Sequence, residues 1–327
     1  MEAFKPSVLR QQAGEALQNA TYPPKKFVLI HTSVALGLTL LITALNFLLN
    51  QQIAQTGGLA GMGMRSILST VQSVLEFAVN AALPFWEIGI VFAALCWVSR
   101  QPVTPAGLFQ GFHRFGKVLG LFLLQGGIFV VLAIGVVQFS TTLFLFSPMS
   151  AKALQIMEPL MEEMDVMSQT IPVLSAEQMA AMSEAVRPLL IMTLVLYLAV
   201  ALPLFYKLRF TQFSVMDGNS VFAAFVHSFR ITKGHVFHLI RLDLHFWWYY
   251  LLQLVGLGLC FGDVILEGIG ITLPMSQETG FFLFYVLGVL VQWMLLWQCR
   301  GTVTATYAAA YKSFWKRPPT PREQNLP

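Results

Sequence analysis

Residues 27–49 read FVLIHTSVALGLTLLITALNFLL, twenty-three residues without a single charge. A helix needs about 20 apolar residues to cross a hydrocarbon core of ~30 Å, so this stretch is long enough to span. It follows a polar segment of 26 residues that ends in Pro23-Pro24-Lys25-Lys26, and it is longer than the 7–15 residues of a signal-peptide core. It therefore reads as a first membrane helix. Five further segments qualify: Val74–Val98, with an interfacial start near Ser66; Val118–Val137, with a tail toward Phe146; Leu189–Tyr206; Leu244–Val264; and Phe281–Gln298. Their apolar runs are continuous rather than alternating, which selects helices over a closed barrel as the way to satisfy the backbone in lipid.

Composition agrees with this reading. Of 327 residues, 56% are hydrophobic and only 11% are Asp, Glu, Lys or Arg, and the mean hydropathy is +0.66. Ordinary soluble domains carry ~25% charge. Too little charge is present to cover a water-exposed surface, which excludes a soluble enzyme, a nucleic-acid-binding domain and a disordered chain. The expected fold is an all-α integral membrane protein: a six-transmembrane helix bundle with amphipathic inner-leaflet helices.

Lys and Arg set the orientation. With the N-terminus inside, only Arg65, Lys152 and Arg187 of the 20 lysines and arginines fall on the outer side. Both termini are then cytoplasmic, and the net charge of +4 reflects attraction to anionic inner-leaflet lipid rather than to nucleic acid. Residues 1–26 form a cytoplasmic segment, 27–315 the membrane domain and 316–327 a cytoplasmic tail.

The connecting stretches carry patterns of their own. Leu9, Ala13, Ala16, Leu17 and Ala20 recur at helical spacing, and Phe222, Phe225, Val226 and Phe229 do so more strongly after a start that Asp217 or Asn219 can cap. Both are expected to lie on the inner leaflet. Val303, Tyr307, Tyr311, Phe314 and Trp315 form a third such face. The outer stretch 148–187 is acidic and Met-rich, with Ile171-Pro172 and Ser175 dividing it into two short helices.

Ser228-Phe-Arg-Ile-Thr-Lys-Gly-His235 is followed by Leu239-Ile-Arg-Leu-Asp-Leu-His-Phe-Trp247. This pattern resembles a bacterial multi-pass membrane family catalogued as domain of unknown function 975. Ser228, Lys233, Gly234, Leu242, Asp243, Leu244 and Phe246 match its Ser, Lys-Gly and "LDLSF" elements, and His245 departs from it. Arg10, Ala13 and Leu17 fit its opening, and Tyr307 and Tyr311 its closing "Y...Y". The resemblance implies a six-helix domain in the bacterial cell membrane and brings no site residues. Physically, Gly234 ends a helix, Lys233 sits at headgroup level, and Asp243 opens the fifth span, where a carboxylate favours the helix dipole. Phe246 to Tyr250 form an aromatic belt. Ser228, Lys233, Gly234 and Asp243 thus read as a device for bringing the chain into the membrane.

Ionisable residues inside apolar helices point to function by default. Glu76 and Glu87, eleven residues apart, fall on one face of the second segment with Gln72 and Asn80, and Pro84 interrupts the hydrogen-bond ladder between them. Glu76, Asn80 and Glu87 are the candidate intramembrane polar site. The alternative places Glu76 near the outer surface and bonds Glu87 to a neighbouring helix. Asp263 with Glu267 could hold a cation, His235, His238 and His245 a metal, and Met157, Met161 and Met164 Cu(I), although each set is also ordinary for an interface or a helix face. Cys96, Cys260 and Cys299 are scattered and form no disulfide or zinc pattern. No phosphate loop, HExxH, GxSxG or dinucleotide fingerprint occurs. No catalytic residue, cofactor or metal is expected. The expected partners are membrane lipid and other membrane proteins. The expected function is a non-enzymatic structural or accessory role, the alternative being a small-solute or lipid carrier that uses the polar second helix.

Overall fold

A computed structural model describes residues 5–55, 58–156, 176–269, 271 and 277–315. Its helices are α1 (Pro6–Gln18), α2 (Pro24–Gln55), α3 (Gly58–Val98), α4 (Gln110–His113) and α5 (Phe115–Leu145). After these come α6 (Ala176–Leu208), α7 (Thr211–Met216), α8 (Val221–Thr232), α9 (Val236–His245), α10 (Trp247–Cys260), α11 (Gly262–Gly268) and α12 (Gln277–Trp315). No strand occurs among the described residues. The protein is an all-α membrane protein, and among the described residues five helices are long and apolar enough to cross a bilayer: Pro24–Leu49, Ser66–Val98, Phe115–Leu145, Met182–Met216 and Thr279–Trp315.

The expected span Leu244–Val264 takes another form. It is divided between the end of α9, the 14-residue α10 and the short α11, with breaks at Phe246 and Phe261. By contrast, the expected last span and the aromatic stretch after it form a single helix, α12, of 39 residues. Pro84, Pro188 and Pro203 lie inside α3 and α6 without ending them. The acidic Met-rich residues 157–175, with Met157, Met161, Met164 and Ser175, lie outside the described residues, as does the tail 316–327.

The chain divides into two compact units, Phe122–Lys207 and the remainder. Within the smaller unit, Ser140 on α5 and Thr193 on α6 share a hydrogen bond of 2.7 Å. The larger unit is organised around α12, which packs against α1, α2, α3, α10 and α11. Glycines set how closely these helices approach. A Cβ at Gly288 would stand 2.7 Å from the Cys260 backbone nitrogen, so α10 and α12 pack backbone to backbone. A Cβ at Gly111 would run into the Phe85 carbonyl, so the turn after α3 folds flat on that helix. That reversal starts at Arg100, whose φ of 56° closes α3: its N–H donates to the Trp97 carbonyl (3.1 Å) and the Gln101 N–H to the Cys96 carbonyl (2.8 Å).

α1 buries Leu9 and Ala13 and packs on α12 and α3, so the strongest part of its apolar stripe faces protein. α8 divides the expected Phe222–Phe225–Val226–Phe229 stripe. Phe225 is buried with Ala224, Ser228 and Thr232, while Phe222 (74% exposed), Val226 (59%) and Phe229 face outward. Ser220 caps this helix, its hydroxyl accepting from the Ala223 N–H at 3.3 Å, in place of the expected Asp217 or Asn219. Of the third face, Val303, Tyr307, Tyr311 and Phe314 are buried and Trp315 is exposed.

Candidate functional site

Every turn and a fraction, α12 turns a residue toward one cavity: Tyr285, Val289, Gln292, Trp293, Leu296 and Arg300. These positions follow the i, i+4, i+7 pattern of a single helix face. The cavity measures about 260 Å³ and is bordered by Thr32, Ala35, Leu36 and Thr39 of α2, by Glu87 of α3, and by Leu257, Cys260 and Phe261 from α10 and its end. At one end the Arg300 guanidinium forms an ion pair with the Glu87 carboxylate. Taking such a pair out of water is expensive, and removing one partner strands the other. Gln292 packs over Gly256, where a Cβ would stand 2.7 Å from its side chain. Trp293 carries a buried indole N–H with no hydrogen-bond partner among the described residues. Thr32 and Thr39 turn their hydroxyl protons back to carbonyls of their own helix, Val28 and Ala35, at 2.8 and 3.0 Å. Their oxygens retain acceptor capacity toward the cavity.

The expected polar face of α3 is distributed over separate contacts. Glu76 accepts from the Asn46 amide of α2, with the Gln72 amide at 3.5 Å. Asn80 is exposed. Glu87 pairs with Arg300 of α12. Eleven residues at 1.5 Å each set the two carboxylates about 16 Å apart along the helix. Between α2 and α3 lies an interlock that the residue pattern did not suggest. His31 Nε2 donates to the Trp86 carbonyl (3.1 Å), the Trp86 indole donates to the His31 carbonyl (2.9 Å), and the two rings stack 5.4 Å apart. Because a carbonyl only accepts, the His31 proton resides on Nε2.

Ser228, Lys233, Gly234 and Asp243 sit on the connected elements α8 and α9. Ser228 is fully buried and its hydroxyl accepts from the Phe210 N–H at 3.3 Å. Gly234, at φ +76°, turns the chain between α8 and α9, and Lys233 beside it is exposed. Asp243 lies in the last turn of α9 rather than at the start of a span, so the helix-dipole argument does not apply to it. Instead it accepts hydrogen bonds from Tyr250 Oη (2.7 Å) and Tyr307 Oη, with Arg209 at 3.9 Å. Arg209 also stacks over the Tyr307 ring at 4.2 Å. A second carboxylate, Asp217, binds Lys312 (2.8 Å) and Tyr311 Oη (3.2 Å) of α12. His227 of α8 meets Ser214 at 3.2 Å and the Trp315 ring at 4.1 Å. Burial, aided by the Arg230 charge, holds His227 below the usual histidine range against the opposite pull of Asp217.

The other sets do not converge. Asp263 is buried while Glu267 is exposed. His235 and His238 lie 5.7 Å apart, ring to ring, whereas His245 packs on Phe246. Among the described residues, no three His, Cys, Asp or Glu side chains come together as a metal site. Arg300 was legible only as one of the inner-side cations; its place on the same helix face as Tyr285 and Gln292, seven or eight residues apart, is the signal that would have placed it in the helix bundle. No family model, curated protein or solved structure matches this chain.

Proposed function

We propose that the chain is a non-enzymatic structural or accessory protein of the bacterial cell membrane that organises lipid at the inner leaflet or partner membrane proteins. In this reading it crosses the bilayer six times, keeps both termini cytoplasmic, and belongs with the family it resembles in its α8–α9 pattern. Residues 247–268 supply the remaining crossing, the fifth along the chain: 22 residues at 1.5 Å make about 33 Å, enough for the core despite the break at Phe261.

The observation that carries the reading is the outward face of α8 and α9. Phe222, Val226 and Phe229, and then Phe237 at 85%, are exposed next to Arg230, Lys233 and Arg241. A folded element that turns phenylalanines outward beside cations suits an anionic lipid surface, with rings in the acyl boundary and charges at the headgroups. Phe109, Phe112 and Phe115 next to Arg114 and Lys117 extend the same chemistry, and Lys117 ties the two regions by donating to the Gly218 carbonyl at 3.2 Å.

Nitroxide labels at Phe222→Cys and Val226→Cys, in a chain with its three native cysteines replaced, test this. In nanodiscs both labels should meet lipid-soluble oxygen more than a water-soluble nickel chelate, while a label at exposed Lys233 should show the reverse. Preference for the nickel chelate at Phe222 and Val226 would remove the inner-leaflet reading.

The carrier reading is favoured by one specific observation, the cavity at Glu87 and Arg300. Native mass spectrometry from nanodiscs separates the two. A stoichiometric small cargo lost in Glu87→Gln, with the fold intact, supports a carrier, and a co-purifying protein without cargo supports the accessory role.

A further inference from the structure

We infer that the cavity between α2, α3, α10 and α12 binds the head and ester region of a zwitterionic phospholipid of the ethanolamine class, the head at Glu87 and Arg300 and the acyl chains leaving past Tyr285. This goes beyond both functional readings, since it requires binding alone.

Three observations lead there. The first is depth. Thr32 and Thr39 lie about 12 and 22 Å along α2 from Pro24, and Glu87 lies about 16 Å from the end of α3 at Val98, counting 1.5 Å per residue. The charged end of the cavity is therefore well inside the apolar span, where an ionisable pair is rare and demands an explanation.

The second is charge. Glu87 and Arg300 neutralise each other. A simple anion would draw Arg300 away and strand Glu87, and a simple cation would do the converse; either leaves an uncompensated charge beside a mostly apolar wall. Only a ligand that brings both signs can open the pair and repay each half, its ammonium meeting the Glu87 carboxylate and its oxyanion the Arg300 guanidinium.

The third is shape. From Arg300 to Tyr285 the lining extends about 22 Å along α12, too long for a head alone. Seven residues from Arg300, about 10 Å on, the Trp293 indole N–H is buried and unpaired, beside the Gln292 amide. A buried donor without an acceptor is unfavourable unless something supplies one. Ester carbonyls stand at about this remove from a phospholipid's charged head, and the wall past them is apolar (Val289, Leu257, Phe261).

The test uses the full chain in nanodiscs of phosphatidylglycerol alone, titrated calorimetrically with dihexanoyl phosphatidylethanolamine. Dihexanoyl phosphatidylglycerol and glycerophosphoethanolamine, the head without chains, serve as comparison probes. Saturable binding of the ethanolamine lipid is expected, at least tenfold tighter than either comparison probe. Trp293→Phe, which keeps the ring and removes the donor, should weaken the ethanolamine lipid about three- to tenfold and leave the chainless head unchanged. The doubly neutral Glu87→Gln/Arg300→Gln chain should lose at least tenfold. If that chain does not fold, Trp293→Phe decides. No binding of the ethanolamine lipid, equal binding of the glycerol lipid, equal binding of the chainless head, or an unchanged affinity in Trp293→Phe would each overturn the proposal. The labelling of α8 shares no residue with this site, so failure of either leaves the other standing.

Discussion

Glu87 and Asp243 are both acidic side chains that meet an arginine from a distant part of the chain, yet they are held in different ways. Glu87, on α3, has a single partner among the described residues, Arg300 of α12, beside a cavity lined mostly by apolar side chains. Asp243, at the end of α9, has two tyrosine hydroxyls as donors and Arg209 only at 3.9 Å. Redundant neutral donors make the second cluster tolerant of losing any one member. The first has no such reserve. Structural joints are built like Asp243, where several donors share one charge. A pair that depends on a single partner and borders open space can be parted by a ligand carrying the same two charges.

The largest expected effect breaks the less redundant cluster. Arg300→Gln should destabilise the protein by about 2–3 kcal/mol by stranding the Glu87 carboxylate, less than for a fully buried pair because the Glu87 side chain is 37% exposed. The double neutral chain should recover most of that loss, as read from denaturation in a fixed detergent. A single-variant loss under ~1 kcal/mol would mean that Glu87 is well solvated and that the contrast with Asp243 is empty.

Packing comes next. Gly288→Ala drives a methyl group into the Cys260 backbone and should cost about 1–3 kcal/mol, while Gly258→Ala, with open space at its Cβ, should be neutral or stabilising. Equal effects at the two glycines would show that α10 and α12 do not meet at Gly288.

At the redundant cluster the effects are smaller. Tyr307→Phe should cost about 1.5 kcal/mol, because Tyr250 still donates to Asp243. A loss as large as that from Arg300→Gln would erase the distinction between the clusters.

The smallest effect is one of pH. His227 titrates below its ordinary range in the folded chain, so the unfolded chain binds the proton first as pH falls. Its contribution is fully present above the ordinary histidine value and is lost as pH falls through that value toward the folded one. Arg230 adds to this and Asp217 opposes it. A midpoint measured from pH 8 to pH 5 should decline less in His227→Phe than in the parent chain, and identical slopes would remove His227 as the cause.

Particular residues show how far the pattern of residues carries. Runs such as 27–49 announce helices because a bilayer offers no other way to satisfy their backbone groups, and five such helices are present at the expected places. Residues 244–264 met the same length criterion but divide at Phe246 and Phe261, and the pieces α10 and α11 each pack against α12. Phe222, Phe225, Val226 and Phe229 share helical spacing, yet Phe225 is buried and the others face out: apolar spacing marks a face without saying whether protein or lipid covers it. At the candidate site, Glu87 was visible as an unusual intramembrane charge, while its partner Arg300 resembled any other cation near a helix end.

Helical class, approximate spans and the lopsided placement of Lys and Arg thus follow from composition along the chain, since each is a local balance between a side chain and its solvent. The pairing of Glu87 with Arg300, more than two hundred residues away, the cavity beside it, and the transfer of Asp243 from a supposed helix start to a tyrosine cluster do not. They depend on which faces of separate helices meet, and that is settled by side-chain fit at places such as Gly288 and Gly256, where a single missing Cβ lets two backbones approach.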